Sequence, residues 1–207
     1  MKFQRLGFEF YALFVLVVAL PATAIAVWLG QLLSYLGPPL SNLVTYRIVE
    51  APTAMAIGGL LFWIYEMFIW RIPGIPYLHS RPDLNGRYEG NVESSYDGAK
   101  YPIVLEIEQT LLSVQVRVFT ERSASASLIA DIGKNDRGND VLVYAYRNIP
   151  QTVTSDTDMR AHDGFAQLEV FPTEGRVRGK YFNDNRERPT YGVLSVERTS
   201  GVRKGHF

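Results

Sequence analysis

The chain has 207 residues, 21 Lys and Arg against 21 Asp and Glu, and no cysteine. The missing cysteines exclude disulfides, thiolate metal sites and cysteine nucleophiles, and three scattered histidines (His79, His162, His206) argue against a His-built metal centre or a Ser-His-Asp triad. Zero net charge argues against a binder of DNA or RNA polymers, which would be basic overall.

The charge is unevenly spread. Residues 1–80 hold four basic groups (Lys2, Arg5, Arg47, Arg71), three acidic ones (Glu9, Glu50, Glu66) and all three tryptophans (Trp28, Trp63, Trp70). The remaining 17 basic and 18 acidic groups lie in 81–207. One half suits lipid and the other water.

Phe10 to Leu29 is an uncharged run of 20 residues, and Ala51 to Trp70 is a second run interrupted only by Glu66. A hydrocarbon core of ~30 Å takes about 20 apolar residues in a helix, so the two runs predict a transmembrane hairpin (spans 10–29 and 51–70) within residues 1–80. Pro21 and Pro52 are compatible with that. The connector contains Gly37-Pro38-Pro39. Lys2 and Arg5 precede the first span, while Arg71, Arg81 and Arg87 follow the second. This distribution puts both termini in the cytoplasm. A cleaved signal peptide is the rival reading of the first run, on Ala22-Thr23-Ala24, but the apolar stretch continues to Leu29 and Glu9 spoils a basic n-region. Two buried helices of a water-soluble core are the other rival, which paired 20-residue runs with interfacial Trp disfavour. Ala22 with Ala26 and Ala54 with Gly58 have the small-residue spacing that lets helices approach in lipid. Glu66, an ionisable group inside a span, is a candidate for membrane assembly.

Ile72 to Ser80 reads as a linker punctuated by Gly and Pro. From residue 81 onward the period is two: Leu105 and Ile107 alternate with Glu106 and Glu108, and Val114, Val116 and Val118 with Gln115 and Arg117. Turn signals cut this region into strands near 86–96, 101–110, 112–120, 123–132, 141–149, 164–171, 176–183 and 190–198. Eight short antiparallel strands predict a minimal all-β barrel or sandwich over 81–207. Such a barrel holds side chains or one small ligand.

Parity selects the candidate binding residues. Leu142, Tyr144, Tyr146 and Asn148 share a face; so do Ser123, Ser125 and Ser127. Tyr88 stands between Gly86 and Gly90, Tyr181 follows Gly179, and Gln109 continues the face of Ile103, Leu105 and Ile107. If these faces point inward, the lumen is rich in rings, hydroxyls and amides, whereas a purely structural core prefers aliphatics. Rings stack on a nucleobase and amides read its edge. The serine row also suits a solvent face or barrel curvature. Arg117, Arg147, Lys180, Arg186 and Arg188 near strand ends are candidate phosphate contacts. The polar loop from Pro150 to Asp163 reads as a lid or a mobile connection, with His162 an exposed loop histidine. No HExxH, GxSxG, EF-hand or phosphate-cradling Gly-rich motif occurs, and no catalytic set, metal site or cofactor site emerges.

The order of Arg81-Pro82-x-Leu84-x-Gly86-x-Tyr88-x-Gly90, Ile107-Glu108-Gln109-Thr110, Ser123-x-Ser125-x-Ser127, Leu142-x-Tyr144-x-Tyr146-x-Asn148-x-Pro150, His162-x-Gly164, Gly179-x-Tyr181-Phe182 and Tyr191-Gly192 resembles the two-transmembrane, β-strand-rich effectors of bacterial CBASS antiphage systems (SMODS-associating). The likeness covers nearly the whole chain, although Tyr88 stands where such members favour Trp. It implies a receptor-effector and not an enzyme. A partner nucleotidyltransferase makes a cyclic di- or oligonucleotide, the barrel binds it, the hairpins oligomerise, and the bacterial inner membrane is disrupted in abortive infection. A membrane-anchored, lipocalin-like carrier of a small hydrophobe is the alternative, and an anchor whose barrel binds only a protein is a third reading.

Overall fold

The computed structural model describes residues 18–35, 50–72, 74–75, 81–150, 161–184 and 189–207. These fall into two compact units, one within Arg5–Ser80 and the other within Arg81–Phe207.

The first unit contains helices α1 (Leu20–Ser34) and α2 (Glu50–Met67), followed by one tight helical turn at Ile69–Arg71. Pro52 falls in the first turn of α2, where its missing N–H costs no helical bond. Ala22 and Ala26 are buried, and a Cβ built on Gly58 would lie 3.7 Å from the Ala22 Cβ. The small residues of the two helices therefore face one another at close range. Trp28, Leu60 and Trp63 are exposed. Glu66 is half-buried, and the side chain of Ala54 lies outside the described residues.

Among the described residues no helix is long and apolar enough to cross a membrane. The spans expected over 10–29 and 51–70 are thus not carried by α1 and α2 as described. Helix α1 has 15 residues, and the first part of its span, residues 10–17, lies outside the described set. Helix α2 has 18 residues, about 27 Å at 1.5 Å each, and includes two carboxylates, Glu50 and Glu66.

The second unit is a closed barrel of eight strands, each antiparallel to the next, with the last returning to the first. They are β1 (Gly86–Ser94), β2 (Lys100–Gln109), β3 (Val114–Phe119), β4 (Ser123–Lys134), β5 (Asp140–Pro150), β6 (His162–Phe171), β7 (Arg176–Asn183) and β8 (Tyr191–Ser200). The alternation of the sequence produces this: one face of each strand enters the lumen, the other meets solvent. Leu105, Ile107, Val116, Leu142 and Leu168 meet in the lumen with no exposed surface. At the weak Leu111-Leu112 signal the chain does turn, with the Thr110 amide donating to Ser113 O at 2.9 Å.

Two features escape local periodicity. A bulge between Ser127 and Ile129 shifts the β4 register, so Ala130 and Ile132 continue the inward face. On the outer wall, Glu106 is 2% exposed although its parity points to solvent. The C-terminal residues cover it: the Lys204 amide donates to Glu106 Oε1 at 2.7 Å, and the Gly205 amide to Oε2 at 3.1 Å. Arg87 Nη1 donates to the same carboxylate at 3.0 Å and to His206 O at 2.7 Å.

Candidate functional site

The lumen has two unlike ends. At the lead-in end, where the chain enters β1, the filling is aliphatic and sealed by Gln109. Gln109 Oε1 accepts from the Leu84 amide at 2.8 Å, and Nε2 donates to Pro82 O at 3.0 Å. Tyr88 is also here, its hydroxyl donating to Leu84 O at 3.0 Å; burial pushes that phenol up to about 12. Both residues are inside the barrel, as parity expects, but their polar atoms hold the backbone of residues 82–84. The structure does not bring them to the other candidates.

The opposite end is polar. Tyr144, Tyr146 and Asn148 rise along β5 on the inward face, all buried. The two rings are 5.8 Å apart at 48°. Across the register, Tyr144 pairs with Ala166 and Ala166 with Tyr181, while Tyr146 pairs with Gly164 and Gly164 with Asn183. A Cβ on Gly164 would come within 2.4 Å of the Tyr146 Cζ, so the ring lies flat over the glycine with one face closed by the wall. Tyr181 sits likewise beside Gly192, 2.7 Å from the position of a Cβ there.

Tyr144 and Tyr146 are 3% and 8% exposed and belong to the packed core of the barrel. Burial raises both phenols well above the ordinary tyrosine range, with Tyr146 adding to the effect on Tyr144, and Tyr181 to that on Tyr146. Burial raises Tyr181 as well, offset in part by Ser94. All three remain neutral O–H donors at physiological pH.

The serine row divides. Ser125 Oγ donates to Asn148 Oδ1 at 2.8 Å and so belongs to the polar end. Ser127 Oγ accepts from the Val116 amide at 2.9 Å, replacing a ladder bond beside the bulge. Ser123 is tied to Thr120, with the hydroxyls 3.0 Å apart, in the turn before β4.

The phosphate candidates among the described residues are not in the lumen. Arg117 and Arg147 are exposed, because they alternate with inward Val116 and Val118, and with Tyr146 and Asn148. Arg147 is bound twice by Asp163, at 2.8 and 3.0 Å, and Arg117 lies near Glu108 at 4.0 Å. Lys180 is exposed too. Arg186 and Arg188 lie outside the described residues, as does most of the 150–163 loop.

One lumen residue was missed. His162 is the first residue of β6, not a loop histidine; it pairs with Asn148 and lies 3.4 Å from Asn183 Nδ2. The alternation His162-x-Gly164-x-Ala166-x-Leu168 was the available signal. Asn183 in turn is fixed by the Thr190 amide, which donates to its Oδ1 at 2.9 Å. Among the described residues no cluster of acidic or histidine groups is arranged for a metal ion.

Comparison with known proteins supplies the context for this geometry. A family profile described as "Cap15, cyclic dinucleotide receptor domain" matches residues 79–198, essentially the barrel. The chain is 30% identical over 173 residues to the CD-NTase-associated protein 15 of Escherichia albertii, covering 80% of this chain and 85% of that protein. It is 30% identical over 143 residues to the protein of the same name from Staphylococcus schleiferi, covering 68% of this chain and 72% of that one.

Proposed function

The chain belongs to the Cap15 family of cyclic dinucleotide receptor domains, and on that premise we propose that it is a CBASS antiphage effector whose barrel takes a cyclic dinucleotide into its polar end. The observation that carries the reading is the pair of buried tyrosine rings, Tyr144 and Tyr146, beside the Ser125–Asn148 hydrogen bond. The rings offer faces to a base, the amide its edge, and the hydroxyls donate to acceptor oxygens. A nucleotidyltransferase supplies the messenger, in keeping with the name of the relatives. The protein acts by binding and catalyses no reaction.

The output is membrane disruption. In this reading residues 1–80 anchor the chain in the bacterial inner membrane through the apolar runs 10–29 and 51–70, with both termini cytoplasmic, and 81–207 is the sensor. A ligand moves the helices only if it prefers one arrangement of the attached barrel. Ligand-driven association of barrels raises the local concentration of the hairpins. Ala22 and Gly58 close the hairpin within each chain, the carboxylate of Glu66 then serves contacts between protomers, and the infected cell dies before phage is released.

Calorimetric titration of the full chain in detergent with cyclic di- and trinucleotides tests the first step. Saturable binding of a cyclic dinucleotide is expected; a folded chain that binds none overturns the reading. Light scattering of the same samples tests the second: the particle mass rises with ligand, and an unchanged mass removes the assembly step. Leakage from dye-loaded anionic vesicles on ligand addition tests the third, and intact vesicles remove membrane disruption.

A further inference from the structure

We propose that only one nucleotide of the ligand enters the lumen while the other stays at the rim, so that the receptor reads one base and tolerates change in the second. The inference rests on the reading that the polar end is the cyclic dinucleotide site, and it follows from the depth, width and one-sidedness of that end.

Depth comes first. Below Tyr144 the lumen is closed by Leu105, Ile107, Val116, Leu142 and Leu168, none of which has exposed surface. The polar stretch therefore runs from Tyr144 to Asn148, about 13 Å of strand at ~3.3 Å per residue, and less along the axis of a barrel whose strands tilt. With Tyr144, Tyr146 and Asn148 lining that stretch, no length remains for a second nucleotide stacked beneath a first.

Width is equally restrictive. Eight strands enclose a lumen that side chains fill or one small ligand occupies. Tyr146 and Tyr181 lie against Gly164 and Gly192 so closely that a Cβ would collide with either ring. They are held flat on the wall and present one face each.

The rings are also one-sided. Tyr144, Tyr146 and Tyr181 stand on β5 and β7, joined through Ala166 and Gly164 of β6. The strands β3 and β4 bring Val116, Val118 and Ser125 to the lumen instead. Tyr101, at the rim on β2, has its hydroxyl turned to Asp97. One aromatic wall flanked by the Asn148 amide provides a stacking face and an edge reader for a single base. The second nucleotide is left beside His162 and Asn183, at the upper ends of β6 and β7, which meet its sugar-phosphate, and the described residues of these two strand ends add no second lumen-facing Tyr, Phe or Trp.

The consequence is an asymmetric specificity. Full chain in detergent is titrated with 3′,3′-linked cyclic di-AMP, cyclic di-GMP, cyclic di-UMP and the three mixed cyclic dinucleotides. The best homodinucleotide identifies the preferred base. Mixed ligands containing that base should bind within about threefold of it, and ligands lacking it at least about tenfold more weakly, since a site built to hydrogen-bond one edge rejects the wrong one. A mixed ligand as weak as the ligands lacking the preferred base overturns the proposal, and so does a mixed ligand that outbinds both parent homodinucleotides tenfold. Equal affinity for all six also overturns it. Each of those results leaves the cyclic dinucleotide reading standing. Binding of none, by a chain that melts cooperatively, overturns both.

Discussion

Tyr146 shows how much one side chain contributes and how narrowly it is held. Its ring is the stacking face nearest Asn148, and base–aromatic stacking is worth about 1–3 kcal/mol. Tyr146→Ala should therefore weaken ligand binding by about 5- to 150-fold in calorimetry, with the eight-stranded circular dichroism signature retained. Gly164→Ala should act on the same ring from behind: its Cβ would come within 2.4 Å of the Tyr146 Cζ and hydroxyl, so the ring must leave the wall. Affinity should fall as far as in Tyr146→Ala; unchanged affinity would show that the ring's seat does not matter. Gln109 supplies the contrast. Its side chain satisfies Leu84 N and Pro82 O, so Gln109→Ala should cost about 1–3 kcal/mol of stability in urea unfolding, the penalty for stranded buried polar groups. The affinity of the folded fraction should not change. Loss of affinity at full folding would return Gln109 to the binding site.

At the scale of elements, the C-terminal segment after β8 is held by ionic chemistry rather than by a ladder. Burial disfavours the Glu106 carboxylate, but the Lys204 amide, the Arg87 guanidinium and the Gly205 amide outweigh it and hold the group below the usual carboxylate range. A carboxylate depressed in the folded state stabilises it fully above the unfolded value, about 4.3, and that stabilisation is lost as pH falls through the folded value. The melting temperature should therefore drop as pH is lowered from 5 to 3, and the Glu106→Gln profile should be flatter over that interval. Parallel profiles would mean the tail is not anchored through this group. Within the barrel, the β4 bulge is an element-scale device of the same kind: Ser127 takes up the Val116 amide where the β3–β4 ladder stops at three paired positions.

At the scale of the molecule, binding in one unit must be felt in the other for the effector reading to hold. Gly58 is the position to test. Its Cβ position is 3.7 Å from Ala22, so alanine fits in ordinary contact while a leucine drives α1 and α2 apart. On the effector reading, Gly58→Leu should abolish ligand-triggered vesicle leakage while calorimetric affinity stays within about twofold, since the substitution alters the α1–α2 packing and no residue of the barrel. Leakage at the wild-type rate would show that the α1–α2 contact plays no part in the output.

The amino-acid sequence by itself determined the eight strands, and the structure closed them into a barrel. Eight strands are found within about two or three residues of where alternation and turn residues put them, because period two is a local property that each strand carries alone. It also put Tyr144, Tyr146 and Asn148 on one face of β5, for the same reason, while closure of the barrel decided that this face is the inward one. What the tertiary structure decided was everything that depends on who sits across the lumen. Closure separated Tyr88 and Gln109 at the lead-in end from the tyrosines at the polar end, although parity treats them alike. A bulge diverted Ser127 into the ladder, the outer wall took Arg117 and Arg147, and His162 became the mouth of a strand. The tail buried Glu106 on a face that alternation assigns to water. Each of these is fixed by pairing between residues far apart in sequence, a register that no local pattern specifies.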